Sequence, residues 1–375
     1  MSYTALARRY RSQSFDTVVG QEPIAQTLTA AIASDRVHHA YLFCGTRGVG
    51  KTSMARIFAR ALNAPDTVDG CPKPRGVEFP AKDVQERMAE AIMRGDDMNV
   101  IEIDAASNTG VDNVRQLIAN AALAPTGNAR YKVYIIDEVH MLSTAAFNAL
   151  LKIMEEPPSH VKFVLATTEA HKVPATIHSR CQRFDFRNIP TARIAEHLRQ
   201  VLAAEKVKAD DGVIFSIARQ GNGSMRDALS LLDRLMAAGE GQLTADLLER
   251  MLGLPDRQLI VDLAEAVAGS DAAGALAKTD ELLRRGIAQD QLLSAVIEHL
   301  RNLMIVAACG PQTPLLEMDE ASKTQAAEQA AKFDTSALVH AIALLENVQR
   351  LGKSSSTPRA MLDAAVLRLA GVGRR

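Results

Sequence analysis

Apolar positions recur along this chain at two different periods, and the period changes near residue 190. In the first half, 23–35 (PIAQTLTAAIASD) places apolar residues at helical spacing behind a proline near its start. An unbroken apolar run at 40–44 (AYLFC) then leads into a glycine-rich turn, and 51–63 is helical again. Residues 64–81 are dense in proline and glycine and predict a loop. A helix is expected at 82–94, a strand at 100–103 (VIEI), and a helix at 111–124 stopped by Pro125. A strand at 132–136 (KVYII), a helix at 143–155 ended by Pro157 and Pro158, a strand at 162–166 (KFVLA) and a last short strand at 182–186 complete this half. Strands that are apolar nearly throughout and alternate with helices indicate a parallel sheet covered on both faces.

Beyond Pro190 no strand signal recurs. Helices are expected at 191–204, 211–220, 224–238 and 244–252, with a second helical group over 256–369 and a linker at Gly239, Gly241 and Gln242. The aromatic residues follow the same division. All five tyrosines lie at or before Tyr134, and after Phe186 only Phe215 and Phe333 remain. The first half therefore reads as mixed α/β and the second as helix alone.

Composition narrows the picture. A chain of 375 residues exceeds one compact core, so two or three domains are expected. The net charge of −1 excludes a polycation, so any nucleic-acid contact would need basic groups concentrated locally. No 18-residue apolar run predicts a transmembrane helix, and the N-terminus lacks the apolar segment of a signal peptide. The four cysteines, Cys44, Cys71, Cys181 and Cys309, are widely scattered, which suits a reducing cytoplasm and argues against a disulfide framework.

The chemistry concentrates in the first half. Gly45-Thr46-Arg47-Gly48-Val49-Gly50-Lys51-Thr52, followed by Ser53, fits the phosphate-binding loop G-x-x-x-x-G-K-[ST] between a buried strand and a helix. Glycines let the backbone wrap phosphates, N–H groups at the helix start take negative charge, Lys51 reaches the β- and γ-phosphates and Thr52 offers a hydroxyl to Mg²⁺. The strand at 132–136 delivers Asp137 and Glu138 at its carboxyl end: Asp137 suits the Mg²⁺ shell and Glu138 a general base on water. Thr167 or Thr168 could sense the γ-phosphate or simply reflect β-propensity. Arg180 in Ser179-Arg180-Cys181 and Arg226 in Gly223-Ser224-Met225-Arg226-Asp227 could stabilise phosphoryl charge or form surface ion pairs. The run Arg8-Arg9-Tyr10-Arg11 could hold a nucleotide or be a solvated arm. Asp104–Gly110 suits a helix cap or an N-terminus that accepts a nucleic-acid phosphate. The histidines, His140 among them, read as surface or packing residues, and no metal ligand pair at helical spacing is present.

Together these segments resemble the bacterial DNA polymerase III gamma/tau family, clamp-loader ATPases of the AAA+ superfamily. The resemblance is carried by HHAYLFCGTRGVGKTS, VIEIDAASNTGVDNVRQLI, YKVYIIDEVHML, IHSRCQRFDF and GNGSMRDALSLLD, and is strong over residues 3–235. It implies a RecA-like AAA+ module over 1–179, a three-helix lid over 180–243 and an all-α collar over 244–375. It implies Walker A at Lys51 and Thr52, Walker B at Asp137 and Glu138, and sensor 1 at Thr168 or Thr167. Arg180 is implied as an arginine finger acting in trans, Arg226 as a phosphate contact in cis, and Arg8, Tyr10, Arg11, Val18 and Val19 as contacts at the adenine end. The implied activity is ATP hydrolysis with Mg²⁺ that drives loading of the β sliding clamp onto primer–template DNA in chromosome replication. The implied assembly is a cytoplasmic ring of further copies of the chain with delta and delta-prime type subunits, with no membrane partner. DNA contact is implied at the 105–115 helix start.

Three departures stand out. The family's four-cysteine zinc module is reduced to Cys71, so zinc is expected to be absent; Ser12 stands where proline is usual; and the chain ends at Arg375, without the extra tau-type regions. The competing expectations are another AAA+ DNA-remodelling motor, such as a Holliday-junction enzyme, and a non-hydrolysing scaffold of the delta-prime type.

Overall fold

A computed structural model describes residues 4–107, 110–239, 242–253, 255–313, 315–316, 318, 320–353 and 355–372. The chain divides into two compact units, one running to His197 and including Gln220–Leu231, the other made of Leu198–Arg219 and the chain from Leu232 onward.

The first unit contains α1 (Leu6–Arg9), α2 (Glu22–Ala33), β1 (Ala40–Cys44), α3 (Lys51–Asn63), α4 (Lys82–Arg94), β2 (Val100–Asp104), α5 (Val111–Ala121), β3 (Lys132–Asp137), α6 (Thr144–Glu155), β4 (Val161–Thr167), α7 (Ala175–His178) and β5 (Gln182–Asp185). The strands form one all-parallel sheet in the order β2-β3-β4-β1-β5. Successive side chains on a strand point to opposite faces, and the core divides accordingly. Tyr41, Phe43, Val133, Ile135, Val164 and Ala166 pack on the face that carries Leu28, Ile57 and Phe58 of α2 and α3. Leu42, Tyr134, Ile136, Phe163 and Leu165 pack on the opposite face with Leu117 of α5 and Phe147 and Leu150 of α6. Burial on both faces is why these strands read as continuous apolar runs.

The register aligns the carboxyl ends. Cys44 of β1 pairs with Thr167 of β4, and Asp104 of β2 pairs with Asp137 of β3. The loops that follow Cys44, Asp137 and Thr167 therefore emerge at one edge of the sheet, where ligands bind in open α/β folds. The 64–81 segment is a loop with one 3₁₀ turn at Pro65–Thr67, pinned where Gln85 Nε2 donates to Asp66 Oδ2 at 2.8 Å.

The chain continues through α8 (Thr191–Glu205), β6 (Lys208–Ala209), α9 (Asp211–Gln220), α10 (Met225–Ala238), β7 (Gln242–Leu243), α11 (Ala245–Leu252), α12 (Arg257–Ala268), α13 (Ala272–Arg284), α14 (Gln289–Cys309), α15 (Glu320–Ala330), α16 (Thr335–Gly352) and α17 (Pro358–Val372). The expectation of helix alone after Pro190 needs correction, because β6 and β7 pair in parallel within the second unit. Each is two residues long and only Leu243 is buried, so neither carries an apolar period. The predicted linker is thereby shortened: Gln242 lies in β7, and Gly241 lies outside the described residues. From α12 onward the helices share one core that includes Leu263, Leu282, Leu300, Leu303, Leu345 and Val366. The α14 helix is long and apolar enough to cross a membrane by length and composition, but its Leu292, Leu293, Leu300, Leu303 and Val306 lie in this core.

Candidate active site

The loop after β1 takes its shape from glycines. Gly48 has φ +79, and a Cβ there would lie 1.9 Å from Ser224 Oγ. Gly45 packs so closely that a Cβ would meet the Phe186 carbonyl oxygen at 2.6 Å. The same loop is keyed to the start of α10 and to the segment after β5. Met225 N–H donates to the Gly48 carbonyl at 3.1 Å, and the Thr46 hydroxyl donates to Asn188 Oδ1 at 2.6 Å. This seating places Arg226 on the wall of the cleft above the loop. Gly48→Ala combines left-handed strain with a clash, at about 1–3 kcal/mol. It should weaken nucleotide binding on the order of tenfold, measured by titration with a fluorescent nucleotide analogue.

Lys51 is buried to 6% exposure, and its ammonium donates to the Gly45 and Thr46 carbonyls, each at 2.8 Å. Burial holds its pKa below the usual lysine value, against the opposing pull of Glu138 and Asp137. Thr52 Oγ1 donates to Asp137 Oδ2 at 2.7 Å, and Asp137 Oδ1 accepts the Glu138 N–H at 2.9 Å. A hydroxyl and a carboxylate in contact beside a buried ammonium fit Mg²⁺ bound with a polyphosphate, since Mg²⁺ takes oxygen ligands.

Glu138 follows β3 with φ +47, a left-handed conformation uncommon outside glycine. Thr168 fixes one of its oxygens: the Thr168 N–H and hydroxyl donate to Glu138 Oε2 at 3.3 and 2.9 Å. Thr167 turns the other way, fully buried, with its Oγ1 3.0 Å from His140 Nδ1. His140 was expected at the surface or in packing. Of the two it is packed: its side chain is 6% exposed, with Nδ1 3.4 Å from Glu138 Oε2 and Nε2 3.3 Å from Glu169 Oε1.

The cleft has a volume of 490 Å³. Its lining includes Arg47, Gly48, Val49, Gly50, Lys51, Thr52, Ser53 and Arg226, the acids Glu102, Asp104, Asp137 and Glu138, and Tyr10, Val18, Val19, Ile189 and Leu229. Arg11 also faces the cleft, and burial followed by repulsion from Arg56 lowers its pKa. Arg8 is exposed and is not among the lining residues, although its charge reaches Arg11. Arg56, whose Nε donates to Glu102 Oε2 at 2.7 Å, was not singled out from sequence. Neither were Asn188, Glu169 and His197, because no motif joins these separated positions. Gln21 is similar: its buried amide donates to the Arg187 carbonyl at 2.7 Å and ties α2 to the segment after β5.

Arg180 stands apart from this cluster. Its guanidinium donates to Glu155 Oε1 at 2.7 Å and to the Thr176 carbonyl at 2.8 Å, in a shallow cavity shared with His38 and His39. Gln182 pairs with Tyr41, so Arg180 lies beside the amino end of β1, whereas Gly45 follows its carboxyl end. Arg180 is level with His39, six positions before Gly45, which puts it roughly 20 Å along the sheet from the start of the phosphate-binding loop of its own chain. At the expected nucleic-acid contact, Asn108 and Thr109 lie outside the described residues. Gly110 occupies the N-cap of α5 without a side-chain cap bond, and Asp104 Oδ1 accepts the Ala106 N–H at 2.9 Å.

Three family models match the chain in succession: DNA polymerase III, delta subunit, at 20–190; DNA polymerase III clamp loader subunit, ATPase lid domain, at 193–241; and DNA polymerase III subunits gamma and tau domain III, at 243–374. The DNA polymerase III subunit tau of Bacillus subtilis is 39% identical over 98% of this chain and 63% of its own length. That of Escherichia coli is 41% identical over 85% of this chain and 48% of its own. The chain thus spans roughly half to two thirds of the length of these curated relatives. A solved structure of the Thermotoga maritima RuvB Holliday junction branch migration motor covers 67% of this chain and 78% of its own, at 19% identity and a TM-score of 0.47. The glycine-shaped loop, the Lys51–Thr52–Asp137–Glu138 cluster and the succession of matched domains agree: the chain belongs to the DNA polymerase III gamma/tau family of clamp-loader subunits.

Proposed function

We propose that this chain binds and hydrolyses ATP with Mg²⁺ as a motor subunit of the DNA polymerase III clamp loader, loading the β sliding clamp onto primed DNA. The observation that carries the reading is the convergence of Lys51, Thr52, Asp137, Glu138 and Thr168 at the carboxyl edge of one parallel sheet. Mg²⁺ bound with the nucleotide supplies positive charge to the phosphate oxygens. Thr52 and Asp137 hold that ion; Lys51 and the loop N–H groups bind phosphate; Arg226 adds charge from the start of α10. Tyr10, Arg11, Val18 and Val19 bind the nucleoside end, and Arg8 adds charge nearby. Glu138 orients the attacking water and takes its proton, held in place by Thr168.

The division into a nucleotide-binding module at 1–179, a lid at 180–243 and a collar at 244–375 belongs to this proposal. So do a cytoplasmic location and a ring built with further copies of the chain and delta and delta-prime type subunits. The deciding experiment reconstitutes the chain with candidate delta, delta-prime and β-clamp proteins and scores loading on primed circular DNA. ATP turnover with loading supports the motor; no turnover at all supports the alternative of a delta-prime type scaffold. The intact Lys51, Thr52, Asp137 and Glu138 favour the motor.

Zinc has no place in the proposal. Cys71 is the only cysteine in 64–95, and a structural zinc site takes four ligands, mostly cysteine and histidine. Metal analysis of the purified protein should find no stoichiometric zinc; one zinc per chain would overturn this.

A further inference from the structure

We infer that His140 is a positioning residue that holds Glu138 and ties it to Glu169 at the surface of the first unit. The inference rests on the role proposed for Glu138. The imidazole is nearly buried and has one nitrogen toward each carboxylate: Nδ1 toward Glu138 Oε2 at 3.4 Å and Nε2 toward Glu169 Oε1 at 3.3 Å. Thr167 closes the ring of contacts. Its Oγ1 lies 3.0 Å from Nδ1 and accepts the Glu169 N–H at 3.0 Å, so the same hydroxyl touches the imidazole and the backbone of the outer carboxylate. Glu169 in turn accepts from Lys172 Nζ at 2.9 Å. A chain of contacts thus runs from the cleft to a surface lysine.

Glu138 has two oxygens, and the contacts with Thr168 and His140 both fall on Oε2. Glu138 itself lines the cleft. Restraint on one oxygen aims the other, as second contacts to a catalytic or metal-binding group generally do. The two ring nitrogens have separate duties, and which of them carries a proton depends on what the other meets. Removing Glu169 should therefore disturb Glu138 only by way of His140.

The test uses the reconstituted loader with clamp and primed DNA, measuring kcat together with the Kd for a fluorescent ATP analogue. His140→Ala should lower kcat about tenfold or more with Kd unchanged. His140→Asn keeps an N–H near the place of Nδ1 and should restore kcat to near the wild-type value. His140→Gln reaches the place of Nε2 instead and should behave as His140→Ala does. Glu169→Ala should lower kcat, and the double variant His140→Ala/Glu169→Ala should lose no more than His140→Ala alone, because coupled groups are not additive. A wild-type kcat in His140→Ala overturns the inference. So does an additive double variant, or an Asn variant as impaired as the Ala variant with Kd weakened in step. A wild-type chain that never hydrolyses ATP overturns the proposed function and takes this inference with it.

Discussion

Glu138→Gln should leave ATP binding intact and cut steady-state hydrolysis by about 10²–10⁴-fold, the range that general-base catalysis contributes. The variant keeps the size of the side chain and an oxygen able to accept the Thr168 hydrogen bonds, and it removes the basic group. The groups proposed to bind ATP lie elsewhere. Lys51 is anchored on the loop carbonyls, and Thr52 is joined to Asp137 rather than to Glu138. Glu138 meets Asp137 only through its backbone N–H, a contact the substitution preserves. The backbone at Glu138 is left-handed at φ +47, and such a conformation costs of order 1–3 kcal/mol in a non-glycine residue. The contacts with Thr168 and Val139, whose side chain is fully buried, keep the turn in place in the variant. Nucleotide titration and single-turnover hydrolysis in the assembled loader separate the two effects. A Kd that rises in parallel with the fall in rate would assign Glu138 to ground-state binding, and a rate within tenfold of wild type would remove it as the base.

The parts of this site that lie next to one another in sequence were legible before the fold was known. Gly45–Thr52 and Asp137–Glu138 each occupy one loop at the end of an apolar strand, and apolar runs of that length announce a covered parallel sheet. What the pattern leaves out is contact between separated loops. Nothing local to Ser224 says that its hydroxyl occupies the space a side chain at Gly48 would need. Nothing local to Thr168 says that it holds Glu138 while Thr167 faces His140; adjacent residues on a strand face opposite ways, and only the register with β1 and β3 decides which faces the cleft. That His140 packs between Glu138 and Glu169 was not legible, because a histidine after two acids carries no period of its own. β6 and β7 were missed for a related reason: two-residue strands with exposed Lys208 and Gln242 have no apolar alternation to detect. Arg180 is the opposite case. Its motif was visible, but its place at the amino end of β1, away from the phosphate-binding loop of its own chain, follows only from strand pairing.

That distance leads to the second large effect. Arg180→Ala should retain ATP affinity in the isolated chain and lose about 10³-fold or more of clamp- and DNA-stimulated hydrolysis in the assembled ring, the scale on which arginine fingers act. Two features of the structure support the separation. Arg180 sits at the amino end of β1 with His38 and His39, whereas the phosphate-binding loop leaves the carboxyl end. Its present partner, Glu155, is half exposed, so the ion pair between them is worth about 0–1 kcal/mol and its loss should hardly change folding stability. Exchanging this exposed carboxylate for a phosphate presented by a neighbour costs little, while the bond from Nη1 to the Thr176 carbonyl at 2.8 Å keeps the guanidinium in place. Glu155→Ala is the matching control, because it removes the ion pair and leaves the guanidinium, and it should leave stimulated hydrolysis near the wild-type rate. Mixing Arg180→Ala with Lys51→Ala chains sharpens the test. A ring in which an intact Arg180 faces an intact Lys51 across a subunit boundary should recover turnover at that boundary, although neither variant is active alone. If the isolated Arg180→Ala chain loses nucleotide affinity, or if mixed rings recover nothing, Arg180 does not act on a neighbour's ATP.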